Sequence, residues 1–256
     1  MSPRASEAGA SAKPITDLLS GIDLLVFDKD GTLIEFHLMW GAWVDDLARR
    51  LEAAAGHPLR DGLYPLLGVD PGTGLVHAHG LLAATPMSRI RERVEAYVIE
   101  RGVAPEQAAA AVDAVWHAPD PVALAQPVTD LAALFARLRP RVGTFAVATS
   151  DDRDPTERTL AALGIAGDMA AIVCADDGIP NKPAPDPVLH LCRLLGVPPD
   201  RTAVVGDSPT DLRMARAAGA ARTIGVLTGV AVWHELEPLA DAVLGSIAEL
   251  APVALR

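Results

Sequence analysis

The sequence predicts an α/β fold, a doubly wound parallel sheet into which a separate α-helical domain is inserted. Three observations predict it. First, Leu24-Leu25-Val26-Phe27 is a short unbroken apolar run of the kind found in a strand buried on both faces, and it ends in two acids, Asp28 and Asp30. Second, from Pro127 onward apolar runs alternate with amphipathic stretches over short connections, which specifies a parallel sheet covered by helices. Third, the apolar run that ends at Asp28 and the run that ends at Thr149 lie 121 residues apart. A structureless loop of that length does not fit in a compact domain, so the intervening residues must fold as their own unit.

The elements follow in order. Residues 1–20 hold no apolar core segment and are expected to form a flexible tail without a secretory signal. Residues 21–33 supply the first strand and a turn at Gly31. Residues 34–125 form the insert, which is helical throughout. One helix runs from Trp40 to Ala55, with Trp40, Trp43, Val44, Leu47 and Leu51 on one face and Gly56 as a stop. Glycine-rich turns at 68–74 separate it from a second helix, Pro86 to Arg101, closed by Gly102. A third starts at Pro105 and ends before Pro119. Residues 126–256 return to the core. Helices at 129–139, 155–163, 185–195 and 210–218 alternate with strands at 144–149, 171–174, 202–205 and 223–226, and a last strand lies near 242–244.

Composition bounds the function. Half of the 256 residues are hydrophobic, enough for a sizeable core, and no apolar run reaches the roughly 18 residues that a membrane span needs. The net charge of −11 argues against nucleic acid or an anionic membrane as partner. The only cysteines, Cys174 and Cys192, read as buried free thiols of a protein kept in a reducing cytoplasm. Lysine occurs three times, at 13, 29 and 182, against nineteen arginines. Lys182 is therefore marked out as a point charge with a particular partner, whereas Lys29, between the two acids, reads as peripheral.

Four motifs occur in order: Asp28-Lys29-Asp30-Gly31-Thr32-Leu33, the apolar run ending in Thr149-Ser150, Lys182-Pro183-Ala184-Pro185-Asp186, and Gly206-Asp207-Ser208-Pro209-Thr210-Asp211. Together they resemble the motifs of the haloacid dehalogenase-like superfamily, over residues 22 to about 245, and the insert resembles that superfamily's C1 helical cap. The phosphoglycolate phosphatase-like and beta-phosphoglucomutase-like members are the nearest in pattern. The resemblance implies a Mg²⁺-dependent phosphatase acting on a small phosphorylated metabolite through an aspartyl-phosphate. It implies Asp28 as nucleophile, Asp30 as acid and base, and Thr149, Ser150 and Lys182 at the phosphoryl group. The metal would be held by Asp28, the Asp30 carbonyl and Asp207, with Asp211 beside them. A phosphomutase and a non-catalytic phosphometabolite sensor are the alternatives. A monomer or homodimer is expected.

Two departures from the resemblance stand out. Ile34-Glu35-Phe36 follows the first motif where relatives have Asp-Ser or Asp-Thr, and Asp151 stands after Thr149-Ser150 where relatives end in Thr-Asn or Ser-Asn. His77-Ala78-His79 lacks the companions of a metal site and reads as a solvated loop. Ser208 reads as a helix N-cap beside Pro209. Trp40 and Trp43 read as packing. His37, between the first motif and the insert, is expected at the substrate, near hinges at 33–38 and 122–127.

Overall fold

The computed structural model describes residues 18–251 apart from 78–79, 85–86 and 118–120. Six parallel strands form one sheet: β1 (Leu24–Phe27), β2 (Thr144–Ala148), β3 (Met169–Val173), β4 (Thr202–Gly206), β5 (Arg222–Val226) and β6 (Ala242–Leu244). Their order is β3-β2-β1-β4-β5-β6. β1 is central, with Phe27 in register with Val147 of β2 and with Val205 of β4. The strand order reverses at β1, where chain crossovers leave to opposite sides and a crevice opens beyond the strand ends.

Alternation along β1 feeds two separate cores, because successive side chains point to opposite faces of a sheet. Leu25 and Phe27 join Phe145, Val147, Val205 and Ile224 beneath the helices Leu131–Leu138 and Arg153–Ala162. Leu24 and Val26 join Ala146, Ala148 and Val204 against the helices Asp186–Leu195 and Pro209–Ala218. The first of these cores also takes in Leu18 and Leu19, both fully buried. The expected tail therefore ends sooner than residue 20, since two adjacent leucines gain more by burial than by exposure. Residues 1–17 lie outside the described residues.

The insert has a core of its own. Helix Phe36–Ala55 buries Trp43, Val44, Leu47 and Leu51 and packs against helix Pro105–Val115, which in turn packs on Met87–Glu100 in the same core. It begins four residues before the expected start and ends at Gly56, whose φ of 67° closes it in the left-handed region that glycine tolerates. A helix at Arg60–Leu67 escapes the sequence reading because Gly62 and Pro65 lie inside it, both unfavourable there. It is fastened by Leu59 and Arg60 N–H groups donating to Glu52 and by Tyr97 donating to the Leu59 carbonyl. Pro86 and Pro119, the expected marks of two helix boundaries, fall outside the described residues.

The two crossings between insert and core are paired with each other. Ile34 bridges Pro127, Glu35 N–H donates to the Gln126 carbonyl at 2.8 Å, and Val128 N–H donates to the Leu33 carbonyl at 3.1 Å. Backbone hydrogen bonds thus tie both crossings at one point.

Trp43 is the largest fully buried side chain, and its indole N–H donates to the His117 carbonyl at 3.0 Å. Trp43→Ala is expected to cost about 3–5 kcal/mol, the range for emptying a buried aromatic site. Urea unfolding followed by circular dichroism measures it, and Trp43→Phe is expected to cost distinctly less.

Candidate active site

Four short segments at the carboxyl ends of β1, β2, β3 and β4 converge on one cavity of about 680 Å³. Asp28 follows β1, Thr149 and Ser150 follow β2, Lys182 comes from the loop after β3, and Asp207 and Asp211 follow β4. All of these line the cavity together with Asp30. Seven of the eight residues expected at the site therefore meet in space; His37 is the exception.

Lys182 organises the centre. Its Nζ donates at 2.6 Å to Asp28 Oδ1 and at 2.6 Å to Asp211 Oδ1, and its side chain is nearly inaccessible. Burial opposes the charge on this lysine, but Asp211 and Asp28 outweigh it and hold its pKa above the ordinary value. The other Asp211 oxygen accepts from the Ser208 N–H at 3.1 Å and from its hydroxyl at 2.6 Å. Ser208 in turn caps helix Pro209–Ala218 in a capping box with Pro209 in the first turn. Both oxygens of Asp211 are thus engaged within the protein, which makes it the orienter of Lys182.

Asp28 is pushed up to about 7, chiefly by burial, with Asp211 and Asp30 adding to the rise and Lys182 opposing it. Asp207 is raised well above the carboxylate range, again by burial first and then by Asp28 and Asp211. Its Oδ2 accepts from the Val230 N–H at 3.1 Å. The approach is close enough to demand glycine on two sides. Gly31 has a φ of 85°, and a Cβ there would lie 2.6 Å from Asp207 Oδ2; a Cβ on Gly229 would fall onto the same carboxylate. Carboxylate oxygens of Asp28, Asp207 and Asp211 all lie within 4.8 Å of one another. This set of hard oxygen donors, two of them raised in pKa chiefly by burial and then by one another's charge, suits a divalent cation such as Mg²⁺.

Lys29 is not peripheral. It is fully buried, and its Nζ reaches both oxygens of Asp30 at 2.7 Å and Asp151 Oδ2 at 2.8 Å. A charged amine can be buried only with such partners. Asp151, one of the departures from the resemblance, is thereby explained as half of the anionic pair that Lys29 requires. Burial raises the pKa of Asp30, the Lys29 charge works against that rise, and the Asp151 charge adds to it.

His37 does not line this cavity. Its Nε2–H donates to the Gly229 carbonyl at 3.0 Å and its Nδ1 accepts from the Val76 N–H at 3.1 Å. It therefore joins a loop of the insert to the loop that holds Asp207. Burial lowers its pKa, in keeping with a neutral ring. The expectation of a substrate contact failed because sequence separation places His37 at the hinge but not on a face. Trp40 and Trp43, in contact at 5.6 Å, also part ways: Trp43 is core, whereas Trp40 lines the cavity with Phe36, Met39, Leu82, Met87 and Ile90. Of these cavity residues, the sequence reading singled out Trp40 as packing and Phe36 as part of a departure after the first motif, and neither as lining the site. His77 lies exposed on a second cavity, and residues 78–79 are outside the described set.

A family model for the haloacid dehalogenase-like hydrolases matches residues 22–219. A phosphoglycolate phosphatase from Rhodospirillum rubrum is 32% identical over 195 residues, 76% of either chain. One from Pectobacterium atrosepticum is 29% identical over 245 residues, covering 92% of this chain and 93% of that one. A HAD family hydrolase from Deinococcus radiodurans, solved with bound phosphate and sodium, has a TM-score of 0.63 at 23% identity and covers 90% of this chain and 93% of its own.

The crowded acids give metal-free protein a pH dependence of definite sign. Asp28 holds a proton in the folded state up to about 7, whereas its ordinary value is 3.8. Between those limits the native state binds more protons than the unfolded chain, so stability falls as pH rises. Glu52, held low chiefly by the Arg60 N–H, and Asp177, held low by Arg153, act in the opposite sense, with stability that is lost as pH falls. In excess chelator the melting temperature is expected to drop by several degrees from pH 5 to pH 8. Asp28→Asn, which removes this titration, is expected to flatten the drop in the same scanning calorimetry.

Proposed function

The chain belongs to the haloacid dehalogenase-like hydrolases, and from that premise we propose that it is a phosphatase that hydrolyses a small phosphorylated metabolite. The observation that supports this most directly is Lys182 held between Asp28 and Asp211 at 2.6 Å on each side, beside the hydroxyl of Thr149 in the same cavity. Phosphoryl transfer asks for an in-line nucleophile, neutralisation of phosphoryl oxygens and a proton donor to the leaving oxygen. Asp28, Lys182 with Thr149 and the Ser150 N–H, and Asp30 match those three needs.

In the first step an Asp28 oxygen attacks phosphorus, and the bond from phosphorus to the alcohol oxygen breaks. That oxygen takes a proton from Asp30, whose raised pKa lets its carboxyl hold one. In the second step water attacks the phosphorus of the aspartyl-phosphate and returns a proton to Asp30. Phosphate leaves and Asp28 is regenerated. Lys29 keeps Asp30 in place through both steps by gripping its two oxygens. A bound Mg²⁺ would be held by the Asp28 and Asp207 carboxylates and the Asp30 carbonyl, and supplies positive charge that keeps these acids ionised. Residues 34–125 are read as a cap over this site and residues 21–33 with 126–256 as the catalytic core.

Asp28→Asn is expected to lower turnover of any phosphate ester by roughly a hundredfold or more, because an amide does not attack phosphorus. The parent in Mg²⁺ is the reference, and phosphate release is the measurement. Asp207→Asn is expected to raise the half-saturating Mg²⁺ concentration at least about tenfold, the usual penalty for weakening a metal site. Undiminished activity of either variant in excess chelator would dismiss the scheme.

A further inference from the structure

The cavity has two dissimilar walls. On the core side stand six carboxylates, from Asp28, Asp30, Asp151, Asp152, Asp207 and Asp211. Lys182 is the one cationic side chain lining it among the described residues, and both of its close contacts are with carboxylates already. On the insert side stand Phe36, Met39, Trp40, Leu82, Met87 and Ile90, with no charged side chain. Residues 78–88 contain no lysine or arginine. Arg89 next to them is exposed and pairs with Glu92.

The wall is also aromatic and ordered. Phe36 and Trp40 lie one turn apart on the same helix with ring centroids at 5.9 Å, and Trp40 stands edge to face on Trp43, which is locked in the insert's core. Such a platform gains from an apolar or aromatic group laid against it. A carboxylate in the same place would lose its water and meet no cationic side chain on this wall.

We infer that the substrate of this site is a phosphate monoester of an uncharged, largely apolar alcohol, and that acid phosphates such as phosphoglycolate are discriminated against. The inference rests on the phosphatase reading of the core residues. It separates this chain from what the names of its relatives say of them, because the leaving group is met by side chains of the insert and not by the four motifs.

The test compares kcat/KM of the parent enzyme in Mg²⁺ for benzyl phosphate and for 2-phosphoglycolate, two esters of primary alcohols that differ in ring and charge. Benzyl phosphate is expected to be favoured by about a hundredfold or more, mostly through KM. Met87→Arg, which places a cation on the partly exposed edge of the wall, is expected to shift the ratio at least about tenfold toward phosphoglycolate. Equal or better use of phosphoglycolate by the parent overturns the inference and leaves the phosphatase reading standing. Phosphate release from neither ester, nor from acetyl phosphate, overturns both. Since the decisive comparison is made on the parent protein, it does not depend on whether the variant folds.

Discussion

Two buried lysines hold together a group of carboxylates that would otherwise drive one another apart. Lys182 stands between Asp28 and Asp211, and Lys29 between Asp30 and Asp151. The Lys182 contacts are made where little water screens the charges, so removal of that lysine would leave Asp28 and Asp211 buried without a counter-ion, whereas Asp151 beside the buried Lys29 stays partly exposed. The compensation is incomplete. Asp207 accepts a backbone N–H from Val230, and its pKa is raised first by burial and then by the charges of Asp28 and Asp211. The protein thus maintains a local deficit of cation at the point where a phosphoryl group and a metal would meet.

The surrounding fold is arranged to keep that deficit compact. β1 lies between β2 and β4, so their carboxyl ends deliver Asp28, Thr149 and Asp207 within reach of each other with no long connection. Gly31, Gly206 and Gly229 let backbone and carboxylates approach more closely than any side chain would allow. The capping box of Ser208 and Asp211 serves two ends at once, since it starts a helix and aims the second Asp211 oxygen at Lys182. The insert is joined to this centre through its paired linkers and through His37, whose ring connects Val76 to the loop bearing Gly229 and Val230. Movement of the insert would therefore be felt by the loop that holds Asp207.

The strands and helices of the core were legible because their signals are local. Buried strands read as unbroken apolar runs, and Ser208 and Gly56 mark helix ends by capping chemistry. The motif residues were legible for a related reason: acids, a lone lysine and hydroxyls at strand ends are uncommon in combination. The helix at 60–67 was not legible, because its stability comes from Glu52 and Tyr97 far along the chain and not from its own Gly62 and Pro65.

By itself the sequence determined the sheet, the existence of a separate helical insert and the identity of the acids and the lysine at the site, since each depends on residue type and spacing alone. Tertiary structure decided which way side chains point once the elements pack. It turned Lys29 from a peripheral charge into a buried clamp on Asp30, and made Asp151 its partner across a strand. It sent His37 to a joint between insert and core, put Trp43 in the core and left Trp40 on the cavity wall, although the two tryptophans are three residues apart on one helix. Orientation depends on what the other elements present at the moment of packing, and no local pattern in the chain encodes that.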